Sequence, residues 1–179
     1  KWVTDNTKVI RTDGEITHYL GYLIDITDRK QLEQSLRQSE QSLRRMTAIA
    51  SDSDRGFEAK LDAVLELGCE RLDLPYGFLT RINDGTQNVV EAAGTHPDLQ
   101  PGASAPMSKA YCRRTIEQDE PLTIQNAAAE EWPDDDAYEA FGLGCYIGGK
   151  VTVDGDLYGT LCFAGDDDRD HRFDESERA

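Results

Sequence analysis

Four cysteines and three histidines carry the most reactive chemistry in this 179-residue chain. Cys69, Cys112, Cys145 and Cys162 form no C-x-x-C pair, and His18, His96 and His171 are scattered. The close ligand pairs that a zinc site needs are therefore missing from the sequence. Cys112 stands near an expected helix start, where a thiol of lowered pKa could act as a redox switch or adduct site. The alternative for Cys112 is a small buried hydrophobe. Cys145 and Cys162 fall on one face of a closing hairpin if that hairpin is regular. As diagonal partners they would sit roughly 7 to 8 Å apart, too far for an unstrained disulfide. Reduced, mostly buried thiols in a cytoplasmic protein are the expectation. No G-x-S-x-G, phosphate-cradling glycine loop or H-E-x-x-H is present, and no histidine sits on a helix suited to accept a phosphoryl group. Enzymatic activity is not expected.

The elements that must position these groups can be read from periodicity and turn signals. Val9 to Arg11 and Ile16 to Ile24 read as strands around Asp13-Gly14. Leu32, Leu36, Leu43, Met46 and Ala50 then recur at coiled-coil spacings, with Ser39 as the one polar interruption. Ser51-Asp52-Ser53-Asp54 breaks this pattern and offers an N-cap for a second helix. That helix carries Phe57, Leu61, Val64, Leu65 and Leu72 and ends at Asp73 before Pro75. Tyr76 to Ile82 and Val89 to Ala93 are β-prone runs separated by Asn83-Asp84-Gly85. Residues 94 to 107, rich in glycine and proline, read as loop. Ser108 can cap a helix with Ala110, Tyr111, Thr115 and Ile116, and Pro121 to Ile124 reads as a short strand. A helical turn is expected around Ala137 to Ala140, and Trp132 reads as a loop anchor. The order of elements gives an α+β fold on an antiparallel sheet flanked by helices.

The last hairpin, Gly144 to Val153 and Asp156 to Ala164 on Asp154-Gly155, can be read face by face. Without a bulge, one face collects Cys145, Ile147, Val151, Val153, Tyr158 and Cys162 and suits packing against helices. The other collects Gly144, Tyr146, Gly148, Lys150, Leu157, Leu161 and Phe163, where glycines leave room beside rings. A single bulge would exchange the faces beyond it. Tyr111, Tyr138, Phe141, Tyr146 and Phe163 could line a pocket for a flat ligand or fill a core. Lys150 could pair with a ligand carboxylate or phosphate; the alternative is a surface lysine.

Composition narrows the partners. A formal charge of −16, from 35 acidic against 19 basic side chains, argues against nucleic acid and against an anionic membrane surface. Arginine outnumbers lysine, and aspartates cluster at Asp134 to Asp136 and Asp166 to Asp170. That pattern resembles proteins of salt-loving organisms, with an acidic mesophilic domain as the alternative. No apolar run is long enough to span a bilayer. The chain lacks an initiator methionine and stops just past a helix start, where Asp174 and Glu177 form a capping-box pattern. It is expected to be a piece of a longer protein.

The stretch Gly21 to Lys30, G-Y-L-I-D-I-T-D-R-K, resembles the end of a PAS sensor domain, whose last strand finishes in D-I-T-x-R-K and continues as a signalling helix. Beyond it, Phe57 to Leu72, Tyr76 to Ile82, Ala110 to Ile116, Tyr138 to Lys150 and Leu157 to Phe163 resemble a GAF domain, a small-molecule sensing module. The Y-C-x-x-T-I helix start is similar to GAF domains of sensor histidine kinases and haloarchaeal opsin-activator-type regulators. The resemblance implies a division into PAS strands at 1–27, a signalling helix at 28–50 and a GAF domain at 51–179. It implies a ligand site at Phe78, Thr80, Tyr111, Cys112, Tyr138, Phe141, Tyr146, Gly148, Lys150, Leu161 and Phe163. The ligand is not identified. A covalent bilin is not expected, because Trp132 to Asp136 holds no cysteine where bilin-binding members carry theirs. Phe173-Asp174-Glu175 does not complete the cyclic-nucleotide signature, and His96 is the one obvious haem ligand. Leu32, Leu36, Leu43 and Met46 would seal a homodimer, relaying a pocket event to an output domain in the same parent chain. A histidine kinase output is the first expectation. A ligand-free dimerisation spacer in a helix-turn-helix regulator is the alternative.

Overall fold

Three Asp-Gly pairs set the hairpins of this computed structural model, which describes residues 1–129 and 136–178. Asp13-Gly14, Asp84-Gly85 and Asp154-Gly155 all hold positive φ, at 55° and 88°, 48° and 73°, and 54° and 90°. Two consecutive left-handed residues make the tight turn whose twist matches flanking strands. Each hairpin also carries a register shift in its ladder. The chain divides into two units, Lys1–Arg44 and Arg45–Ala179.

In the first unit, β1 (Val3–Thr12) pairs antiparallel with β2 (Glu15–Asp25). The ladder leads into α1 (Thr27–Ser51). The junction explains the D-I-T residues. Asp25 Oδ1 accepts from the Thr27 backbone N–H at 3.0 Å and from its hydroxyl at 2.6 Å. The Thr27 hydroxyl oxygen also accepts from the Trp2 N–H at 2.9 Å, while the Ile26 N–H donates to the Trp2 carbonyl at 3.0 Å. The first helical turn is thereby laced to the start of β1, and the Thr27 hydrogen bonds hold the Asp25 carboxyl below its ordinary value. On α1, Leu32, Leu36 and Leu43 are 71%, 64% and 60% exposed, with Met46 partly so, and form an uncovered apolar stripe.

The second unit is a six-stranded sheet in the order β5-β4-β3-β8-β7-β6. Its strands are β3 (Tyr76–Asn83), β4 (Thr86–Ala93), β5 (Ser104–Pro106), β6 (Leu122–Ile124), β7 (Cys145–Val153) and β8 (Asp156–Gly165). All pairings are antiparallel. Its helices are α2 (Phe57–Leu72), α3 (Cys112–Thr115), α4 (Asp136–Phe141) and α5 (Glu175–Arg178). The mixed α+β architecture expected from the sequence is present. Helix α2 ends where Asp73 turns left-handed at φ 53°, and Leu65, Leu67 and Leu72 bury its inner face. Phe57, expected on that face, is exposed. At the other end, Asp174 and Glu177 exchange side-chain to backbone bonds of 2.8 and 2.9 Å, the reciprocal capping box.

Three local readings are corrected. The segment read as loop contains β5, whose residues Ser104 to Pro106 pair with Asn88 to Thr86; Ala105 and Pro106 lacked the β-branched or aromatic signature of a strand. Ser108 does not cap the helix. It lies in a single 3-10 turn at Met107–Lys109, and α3 begins later with no side-chain cap. The closing hairpin is bulged, because Thr152 pairs with Leu157 and Val151 with Gly159, leaving Tyr158 extra. From Gly159 onward β8 has exchanged faces relative to a regular hairpin. Phe163 therefore sits opposite Ile147 and Cys162 opposite Gly148. Cys145 and Cys162 do not share a face.

Candidate functional site

The bulge at Tyr158 decides which side chains meet. On one face of the sheet, Phe163 packs with Leu72, Leu74, Cys145, Ile147 and Phe173. Gly68 of α2 and Gly77 of β3 lie against its ring, and a Cβ at either position would collide with it. Phe163, expected in the ligand site, thus belongs to the helix-packed face. Leu161, opposite Gly149 and two residues from Phe163, shares that face.

The opposite face gathers Phe78, Tyr111, Cys112, Tyr146 and Cys162 in one buried cluster, with Tyr138 and Phe141 packed against it. Register builds its floor: across β3 and β8, Thr80 faces Thr160 and Phe78 faces Cys162. Helix α3 supplies Cys112 and Thr115, both fully buried. The polar atoms join in a continuous network. The Thr80 and Thr160 hydroxyls are 2.7 Å apart. Cys112 Sγ lies 2.9 Å from Thr160 Oγ1, and the Cys162 thiol donates to the same oxygen at 3.2 Å. Tyr146 Oη lies 3.0 Å from Cys162 Sγ and 2.8 Å from Thr115 Oγ1.

This network sets the titration of its members. Burial, with Cys162 and Cys112 close by, pushes the Tyr146 hydroxyl well above its ordinary value, and burial does the same to the Cys162 thiol. Hydrogen bonding led by Cys162 pulls Cys112 the other way, against the burial that would raise it. Cys112 is the member of the cluster best able to carry charge. Cys69 and Cys145 lie elsewhere, both pushed up by burial, Cys69 to about 11. All four thiols are free.

The room expected beside Gly148 is occupied. The Tyr146 side chain covers that glycine, and a Cβ there would run into its hydroxyl and ring. The Tyr146 ring also packs on Tyr111 at 5.2 Å between centroids. What remains is a cavity of about 10 Å³ lined by Phe78, Gln87, Leu99, Ala110, Tyr111, Cys112, Phe141, Leu143 and Tyr146, the size of roughly one water. Replacing Gly148 by leucine would displace Tyr146 from the core as well as block a pocket. Lys150 stands apart from the cavity, its ammonium donating at 2.6 Å to the fully exposed Asp119.

Two residues acquire roles that composition did not suggest. Gln87 is 3% exposed, lines the cavity, and leaves its side-chain carbonyl without a partner. It stands two residues before Val89, so the period of a strand places both on one face; that signal was in the sequence. His96, considered for haem, has both ring nitrogens engaged. Nδ1 accepts from the Asp98 N–H at 3.2 Å, which leaves Nε2 to donate to the Phe141 carbonyl at 3.0 Å. It ties the loop after β4 to the end of α4. Among the described residues no group of three or more His, Cys, Asp or Glu side chains is placed to hold a metal ion. No helix among them is long and apolar enough to cross a membrane. Trp132 and the acidic residues up to Asp135, on which the anchor and bilin readings rested, lie outside the described residues.

Known proteins give the same picture of the fold. The GAF domain of a phosphoenolpyruvate-protein phosphotransferase from Acinetobacter superposes with a TM-score of 0.59 at 14% identity, covering 80% of this chain and 83% of that one. Free methionine-R-sulfoxide reductase from Neisseria meningitidis, solved with its substrate, gives 0.61 at 12% identity, with 81% of each chain covered. The phycocyanobilin-bound GAF domain of a cyanobacterial phytochrome gives 0.62 at 17% identity, covering 78% and 85%. No curated protein sequence matches. The family model described as a GAF domain matches residues 54–179, which is most of the chain. This chain belongs to the GAF domain family.

Proposed function

We propose that this chain is a sensory and regulatory piece of a multidomain signal-transduction protein acting in the cytoplasm. Its GAF unit responds to a small molecule or to redox state, and paired helices relay the response to a histidine kinase output in the same parent chain. The observation that carries this reading is the Gln87 carbonyl, buried without a partner at an otherwise apolar cavity. Such an orphaned group costs about 1–3 kcal/mol, and a ligand that donates a hydrogen bond would recover it. The cavity must widen by movement of its lining residues to admit anything larger than water, which couples binding to a shape change. Relay through α1 is supported by its exposed leucine stripe, which fits the seam of a homodimer. The hydrogen-bonded Asp25-Ile26-Thr27 junction supports reading β1 and β2 as the exit strands of a PAS domain, since an isolated hairpin is marginal in water.

The test is a native mass spectrum and an absorbance spectrum of the whole chain purified in molar salt. A reproducible extra mass or a visible band is expected; a clean unliganded mass against a panel of metabolite extracts would overturn ligand sensing. A second reading, a ligand-free dimerisation spacer in a helix-turn-helix regulator, is favoured by one observation. Tyr146 already fills the space over Gly148 with its hydroxyl satisfied.

A further inference from the structure

The redox arm of the proposed function has a chemical basis in two thiols that share one hydroxyl. Cys112 and Cys162 come from elements fifty residues apart, α3 and β8. Both are buried, at 2% and 0% exposure. Their sulfurs bracket Thr160 Oγ1, at 2.9 Å from Cys112 and 3.2 Å from Cys162. We propose that Cys112 and Cys162 are a peroxide-responsive dithiol, oxidised to a disulfide that ties α3 to the centre of the sheet. The proposal deepens the sensory reading of the same cavity and rests on it for its regulatory meaning.

Three features make the step feasible. Cys112 lines the cavity, so an oxidant little larger than water has a place to stand beside its sulfur. Larger alkylating reagents do not. The donor network around Cys112 favours its thiolate while burial keeps Cys162 protonated, which assigns Cys112 as the attacking sulfur. Helix α3 is a single four-residue turn without a side-chain cap, so it can shift the short way needed to bring the sulfurs to bonding distance.

The chemistry balances with hydrogen peroxide as oxidant. The Cys112 thiolate attacks one peroxide oxygen, the O–O bond breaks, and the departing hydroxide takes a proton to become water. This leaves a sulfenic acid on Cys112. Cys162 then attacks that sulfur as its own proton leaves with the displaced hydroxyl, giving a second water and the S–S bond. The dithiol loses two electrons and the peroxide gains them. In the product Thr160 Oγ1 loses its hydrogen bonds to the two thiols and keeps the one to the Thr80 hydroxyl.

The test treats the reduced whole chain with hydrogen peroxide and follows intact mass. The expected result is a loss of ~2 Da, reversed by dithiothreitol, with a peptide map joining the Cys112 and Cys162 peptides. Cys162→Ala should stall at a sulfenic acid, captured when the oxidised protein is unfolded in the presence of dimedone, and Cys112→Ala should slow oxidation at least ~10-fold. No mass loss, stable oxygen addition at Cys112 without a link, or a link through Cys69 or Cys145 would overturn the proposal. Because the link is mapped on the native chain, a variant that fails to fold does not spare it. A missing small-molecule ligand shows separately, as an unliganded native mass. A linked pair that leaves the output of the parent chain unchanged overturns the regulatory role while leaving the chemistry in place.

Discussion

The two faces of the GAF sheet are built from the same strands and do different work. On the α2 face, Phe163 seats against Gly68 and Gly77 among Leu72, Leu74 and Ile147, and the contacts are apolar. On the other face, Thr80, Thr115, Thr160, Tyr146, Cys112 and Cys162 place six polar side-chain atoms in a buried network. An apolar face needs only shape, whereas a polar one must satisfy every donor and acceptor or leave one idle. One is idle here, the Gln87 carbonyl. The first face holds the fold; the second keeps the chemistry.

If that division is right, the largest loss should come from the apolar side. Leu65, fully buried on α2, should cost about 2–5 kcal/mol on change to alanine, read by chemical denaturation. The peroxide response should survive in whatever fraction remains folded. Thr160→Val is the matching change on the polar side. It keeps the shape but removes a hydroxyl shared by Thr80, Cys112 and Cys162, and should cost about 1–3 kcal/mol. Equal losses with an unchanged rate of thiol oxidation would erase the contrast between the faces.

A smaller effect separates buried from exposed polar chemistry. Asp25, at the exposed junction of β2 and α1, has its carboxyl held below the ordinary 3.8 by Thr27. A carboxyl depressed in the fold stabilises above its unfolded value and loses that contribution as pH falls through the folded one. The ellipticity of α1 should therefore fall below about pH 4, and Asp25→Asn should reduce that dependence, the remainder coming from Glu33, whose carboxyl is held below its ordinary value by hydrogen bonds to Lys30 and Arg29. The buried thiol–hydroxyl network has no carboxylate and should not respond in the same window. An acid transition there instead, followed by tyrosine fluorescence, would show that the two regions are not independent.

Much of this was legible in the sequence, and the failures have one main physical source. The Asp-Gly pairs announced three hairpins, Asp174 and Glu177 announced a capping box, and the order of periodic segments announced the α+β fold. Tyr146 and Gly148 were placed on the correct face because β7 is regular up to Val151. Leu161, Phe163 and Cys162 were misplaced because one extra residue at Tyr158 inverts everything after it, and no residue type marks a bulge of this kind. The same inversion hid the thiol pair: Cys162 belonged beside Cys112 once the register was known. Gly148 suggested room, but whether a glycine leaves a cavity or admits a neighbour's ring depends on three-dimensional packing. The short β5 lay below the length at which periodicity speaks, and the helix expected after Ser108 is present only as the single turn of α3.

The most direct measurement is the unfolding free energy of Gln87→Leu in the unliganded chain. Leucine replaces a partnerless carbonyl in an apolar cavity, so stability should be unchanged or raised by up to ~1 kcal/mol, with binding or sensing lost. A loss of more than ~1 kcal/mol would mean that Gln87 already serves the fold, and would contradict the claim that this face holds a group in reserve for a ligand.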